Sequence, residues 1–222
     1  MMTKITAMSA LALLAACGSA SVAERDAAAQ TREAAKPLTI AGLRIGMTAT
    51  EARTTLARDG WKVDTEAGED WAATVDHEVK RQRDVFPIEE PKNGVAVLNA
   101  RKGDETLVVR FRPMPSGDLV SGVTYAAPAA GRTPEQIAAE MTKRYGKPGV
   151  STVARSIYEA SWCTGGDPCR SIWGNQHTGL EAKIDVYGKL KISLSQGVAA
   201  DRAWEAAVKR AAGGTVPAKS SF

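Results

Sequence analysis

The chain has 222 residues, 44% of them hydrophobic and 24% charged, with a formal net charge of +4. These are the proportions of a globular protein and not of a disordered one. Lys and Arg are scattered among Asp and Glu, which argues against a dedicated nucleic-acid binder, and the densest basic run, Lys80-Arg81-Gln82-Arg83, spreads around a helix as a solvated face.

The chain opens with one basic residue, Lys4, and an uncharged apolar run of about twelve residues over 5–16 that ends in small residues. That is the shape of a secretory signal, and it is too short to span a hydrocarbon core, which takes about 20 residues. Leu14-Ala15-Ala16-Cys17-Gly18-Ser19 resembles the lipobox of bacterial lipoproteins. The resemblance implies a signal peptide over 1–16, lipid on Cys17 and, with Gly18 and Ser19 in place of an aspartate, sorting to the outer membrane. A diacylglyceryl group together with an N-acyl chain would anchor the protein stably. The alternative is cleavage after Ser21-Val22-Ala23, which removes Cys17 and leaves a soluble periplasmic protein. Residues 17–36 lack large apolar side chains and are expected to be a lipidated N-terminus and flexible tether.

Two α+β units are expected after the tether, over 37–128 and 129–212. The first begins with a capping box, Thr48-Ala49-Thr50-Glu51, followed by Ala52 and Leu56 at helical spacing and by Gly60 as a left-handed stop. A second helix is read over 69–85 from Trp71, Val75 and Val79, with Phe86 nearby, and then strands over 95–100, 105–112 and 119–126 separated by turn residues. The second unit repeats the opening: Thr133 as cap, Pro134 at the first position, Gln136 completing the box, and Ile137, Met141 and Tyr145 on one face. Strands follow over 156–162, 170–173, 180–186 and 189–195, with short turns that imply antiparallel pairing. A C-terminal helix over 199–212 places Trp204, Ala207, Val208 and Ala211 on one stripe, and 213–222 is read as a disordered tail.

Ile45-Gly46-Met47-Thr48 leading into Glu51 and Leu56, and the later Thr133 helix ending in Gly146-Lys147-Pro148, resemble the signature of the BamE (SmpA/OmlA) outer-membrane lipoproteins. The resemblance implies helices on one face of an antiparallel sheet. The β-lactamase-inhibitor-protein-like fold repeats a similar unit in tandem.

Cys163 and Cys169 bracket Thr164-Gly165-Gly166-Asp167-Pro168, a stretch that favours a tight reversal, so in an oxidising envelope a disulfide is expected. A redox role would prefer C-x-x-C, and a zinc site from Cys163, Cys169 and His177 lacks an evident fourth ligand. His77 sits between Asp76 and Glu78 in the second helix and is expected to face solvent, and His177 lies in a polar turn. No G-x-S-x-G elbow, S-x-x-K pair, Walker loop or H-E-x-x-H pair occurs. Adjacent Glu89-Glu90 is a loop charge, not an opposed carboxylate pair. Trp162 and Trp173 flank the cysteine loop, either as core packing or as a binding platform. The expectation is a non-enzymatic envelope lipoprotein without catalytic residues, cofactor, metal or nucleic-acid partner, which binds another envelope protein through its sheet or its loop ends. The alternatives are a glycan-binding protein or envelope enzyme using the 162–173 loop, and a secreted hydrolase inhibitor.

Overall fold

Thr48 opens the first helix, α1 (Ala49–Arg58). Its hydroxyl accepts from the Glu51 amide at 3.2 Å while the Glu51 carboxylate accepts from the Thr48 amide at 2.8 Å, the reciprocal box that satisfies two otherwise orphaned donors. Past its end the chain reverses at Gly60, whose φ of 80° lies in the left-handed region that a side chain would disfavour. The structure is a computed structural model that describes residues 37–85, 91–155, 157–164, 169, 177–185 and 187–213.

The fold is α+β. In chain order α1 is followed by β1 (Lys62–Gly68), α2 (Trp71–Gln82), β2 (Gly94–Lys102), β3 (Glu105–Arg112) and β4 (Leu119–Pro128). Then come α3 (Pro134–Tyr145), β5 (Val150–Ala154), β6 (Ile157–Cys163), β7 (Gly179–Ile184), β8 (Lys189–Ser195) and α4 (Val198–Gly213). The strands form one eight-stranded sheet in the order β1-β2-β3-β4-β8-β7-β6-β5. Every neighbouring pair is antiparallel.

Strands β3 and β8 carry the bounds that the alternation predicts, while β2 and β4 each run two residues past the expected 100 and 126. Two strands were not expected. Strand β1 reads Lys-Val-Asp-Thr-Glu-Ala-Gly and offers only one large apolar residue, and β5 is a five-residue edge with no buried position. The expected strand over 170–173 lies outside the described residues, as do Cys17, Phe86, Glu89, Glu90 and the tail beyond 213.

The core lies on one face of the sheet. Period-two alternation sends Leu98, Ala100, Leu107, Val109, Val123, Leu180, Ala182, Leu190, Ile192 and Leu194 to this face, each at most 3% exposed. Helix α1 covers it with Ala52 and Leu56, and α3, capped by Thr133 as predicted, with Ile137 and Met141. The core is one continuous cluster across the β4–β8 seam, closed by Ile40, Leu43, Met47 and Trp61 from outside the regular elements.

Helix α2 is shorter than the expected 69–85. Asp70 caps it by accepting from the Ala73 amide at 2.9 Å, and the chain turns at Arg83 and Asp84, where Asp84 has φ of 57°. Its main packing partner is α4, not the sheet. That rotates its inward stripe from the expected Trp71-Val75-Val79 to Ala73, Glu78 and Val79, facing Val208 and Ala212 of α4. Glu78 is tolerated there because Arg81 donates to both of its oxygens at 2.7 Å and Gln82 adds a bond at 3.1 Å. These bonds hold its carboxyl down at about 2.

Candidate functional site

The opposite face of the sheet is hydrophilic, and the strand register resolves it into three rows. The first runs Lys62, Arg101, Thr106, Ala126, Lys191, Lys183, Glu159 and Thr152, from β1 to β5. The second runs Asp64, Asn99, Val108, Thr124, Ser193, Glu181, Ser161 and Val150, and the third Glu66, Val97, Arg110, Gly122, Ser195, Gly179 and Cys163. The middle strands β4 and β8 therefore present Gly122, Thr124, Ala126, Ser193 and Ser195, all small and all part-exposed. Exposed charges border these small residues: Arg101 and Arg110 on β2 and β3, Lys191 on β8 itself opposite Ala126, and Lys183 and Glu159 on β7 and β6. Glu159 and Glu181 share a hydrogen bond across β6 and β7; burial first, and then that bond, push the Glu181 carboxyl up.

The two edges of the sheet differ. Edge β1 carries Lys62, Asp64 and Glu66, and Arg53 of α1 reaches it by donating to the Thr65 hydroxyl at 3.0 Å. Charges of this kind discourage further strand pairing. Edge β5, Val-Ser-Thr-Val-Ala, carries no charge and is exposed along its length. Around it lie Val150, Val153 and Ile157, exposed by 44%, 43% and 43%.

Cys163 and Cys169 form a disulfide with their Cα atoms 5.5 Å apart. Cys169 is buried, and its Cβ lies 2.9 Å from where a side chain at Gly149 would begin, so Cys169 packs against the approach to β5 and favours glycine there. Trp162 is 4% exposed; its indole N–H donates to the Gly146 carbonyl at 2.9 Å and its ring lies 5.6 Å from that of Tyr145. It is a core residue, so a platform on this loop would rest on Trp173, which lies outside the described residues. His177 is exposed. His77 is half-exposed, with its Nδ1 3.5 Å from Glu69.

Clefts accompany the sheet among the described residues. One of about 450 Å³ lies between α2 and α4, lined by Trp204, Val208, His77, Glu69, Arg81 and Lys209 among others. The second, about 240 Å³, lies on the core side of the β4–β8 seam beside Trp61, Tyr125, Arg132, Arg144 and Tyr145. In the first, Arg81 is paired with Glu78, and in the second, Arg132 with Glu140 at 2.9 Å. The Tyr125 phenol is pushed up by burial and by Glu105 beside it. Among the described residues no group of three or more His, Cys, Asp or Glu is placed to hold a metal ion, and no helix is long and apolar enough to cross a membrane.

Apart from Cys163, the residues of the three rows were not singled out by sequence reading, because their identity as a face depends on register across strands far apart in the chain. Strand β5 did leave a signal, the β-branched run Val150, Thr152 and Val153. No model of a known protein family matches the chain, and it matches no curated protein and no solved structure at a significant level.

Proposed function

We propose that this protein is a non-enzymatic interaction module of the bacterial cell envelope, held at the outer membrane by lipid on Cys17, which receives another envelope protein on the open face of its sheet. The observation that carries this reading is the open face itself. Eight strands bury one side under α1 and α3, while the other presents a strip of small residues between exposed cationic and acidic side chains. A strip of small side chains lets a partner's side chains approach the backbone, and the neighbouring charges set orientation and encounter rate. The reading extends to two related units, α1-β1-α2-β2-β3-β4 and α3-β5-β6-β7-β8-α4, similar in plan to the BamE-like unit and its tandem repetition. Supporting this are the matched capping boxes at Thr48 and Thr133 and the meeting of the two four-strand runs at β4 and β8.

The test is recovery of a stoichiometric partner from detergent-solubilised membranes with the full chain as bait. Arg110→Glu combined with Lys191→Glu is expected to reduce recovery at least tenfold without changing the melting temperature. Equal recovery with this variant would remove the open face from the account. The address is tested separately by the mass of the mature N-terminal peptide: acylated Cys17 supports the anchor, and an unmodified N-terminus at Glu24 rules it out.

A further inference from the structure

We infer that β5 is a self-pairing edge: two copies of this chain join antiparallel through β5, with a two-fold axis through Thr152, merging two eight-stranded sheets into one continuous sheet. The inference is independent of which protein occupies the open face.

A sheet edge presents unpaired N–H and C=O groups to any extended chain, and proteins ordinarily block it with charge, proline or a covering element. Strand β5 has none of the charged or proline blocks. Centred on Thr152, a two-fold pairing sets Val150 opposite the second copy's Ala154, Ser151 opposite Val153, and Thr152 opposite Thr152. A Thr–Thr pair is favourable, and no like charges meet. Of the cations that flank the strand, Arg155 falls opposite Gly149 if the register is continued, and Lys147 lies beyond the end of the second copy's β5. Face parity is also kept. Val150, Thr152 and Ala154 share the open face with Ser161, Glu159 and Ile157, and both copies present this same side.

The other edge does not offer this. Full-length self-pairing of β1 about its middle residue, Thr65, sets Asp64 directly opposite Glu66, two acids in one cross-strand pair. Pairing β5 of one copy with β1 of another is heterologous and generates open-ended chains, whereas β5 with β5 closes at a dimer. Val150, Val153 and Ile157, each more than 40% exposed, supply the apolar contact. Because β5 has only five residues, the interface falls at the small end of specific interfaces and the dimer is weak and concentration-dependent.

The register makes the inference testable at single-residue resolution. Residues directly opposite in an antiparallel pair have Cα atoms about 4.5–5.5 Å apart, within the reach of a disulfide. Diagonal neighbours are roughly 7–8 Å apart. The full chain carrying Cys17→Ser is given Ser151→Cys, Thr152→Cys or Val153→Cys and oxidised over a range of concentrations. Thr152→Cys is expected to form a covalent dimer at least fivefold faster than either neighbour alone, and the Ser151→Cys and Val153→Cys chains are expected to cross-link when mixed. Light scattering should show the unsubstituted β5 dimerising with concentration, and Val153→Lys remaining monomeric with unchanged circular dichroism. A β5 that stays monomeric at the highest concentration reached, or equal cross-linking at all three positions, overturns the inference.

Discussion

The two faces of the sheet are built from alternate residues of the same strands, yet they do opposite work. On β3, Val109 is fully buried while Arg110, the next residue, is exposed. On β8, Leu190, Ile192 and Leu194 are buried while Lys191 is exposed and Ser193 only partly covered. One side carries the apolar core, and the other carries the polar and small side chains. A substitution therefore reveals which role its position serves.

The largest effects are expected on the core side. Leu98→Ala, at a side chain with 0% exposure, should cost about 2–5 kcal/mol, read as a loss of denaturation midpoint. Reducing the Cys163–Cys169 bond, which closes a loop with a sequence separation of 6, should cost roughly 2 kcal/mol on the chain-entropy model. A drop in melting temperature under reductant that Cys163→Ala/Cys169→Ala abolishes would confirm it. Tyr158→Phe should run the other way. The Tyr158 hydroxyl has no hydrogen-bond partner among the described residues, and burial pushes it up to about 12. Removing an unsatisfied buried group is expected to leave stability unchanged or raise it by about 1–2 kcal/mol, and clear destabilisation would reveal an unrecognised partner.

Smaller effects sharpen the comparison further. Thr48→Ala removes a cap and should cost about 1 kcal/mol, with Glu51→Gln costing less because an amide oxygen still completes the box. Glu78 titrates well below its ordinary 4.5, at about 2, so its contribution is full above pH 4.5 and is lost as pH falls toward 2. Acid unfolding of Glu78→Gln should be correspondingly flatter over that window. At the bottom of the scale, Arg110→Glu and Lys191→Glu on the open face should each change stability by less than about 0.5 kcal/mol, although partner recovery falls.

Much of the core side could be read from sequence alone, because each of its signals is local. Thr48 and Thr133 announce their helices through residues three positions on, and β3 and β8 announce themselves by alternation. The disulfide was legible from two cysteines around a glycine-rich reversal. What sequence reading missed depends on distant partners. Strand β1 has little apolar content and is a strand because β2 templates it. The α2 stripe was read only in part: Val79 is buried as expected, but Ala73 and Glu78 join it because the main packing partner is α4, more than a hundred residues later. The open face is a set of rows that exist only once eight strands are in register.

The most direct test of the open face as a docking surface is site-specific photo-crosslinking in intact cells, comparing Thr124 at the centre of that face with Arg58 on the solvent side of α1. The account predicts a discrete adduct from a photoreactive residue at 124 and none from 58. An adduct from 58 alone would contradict it and move the partner to the helical side.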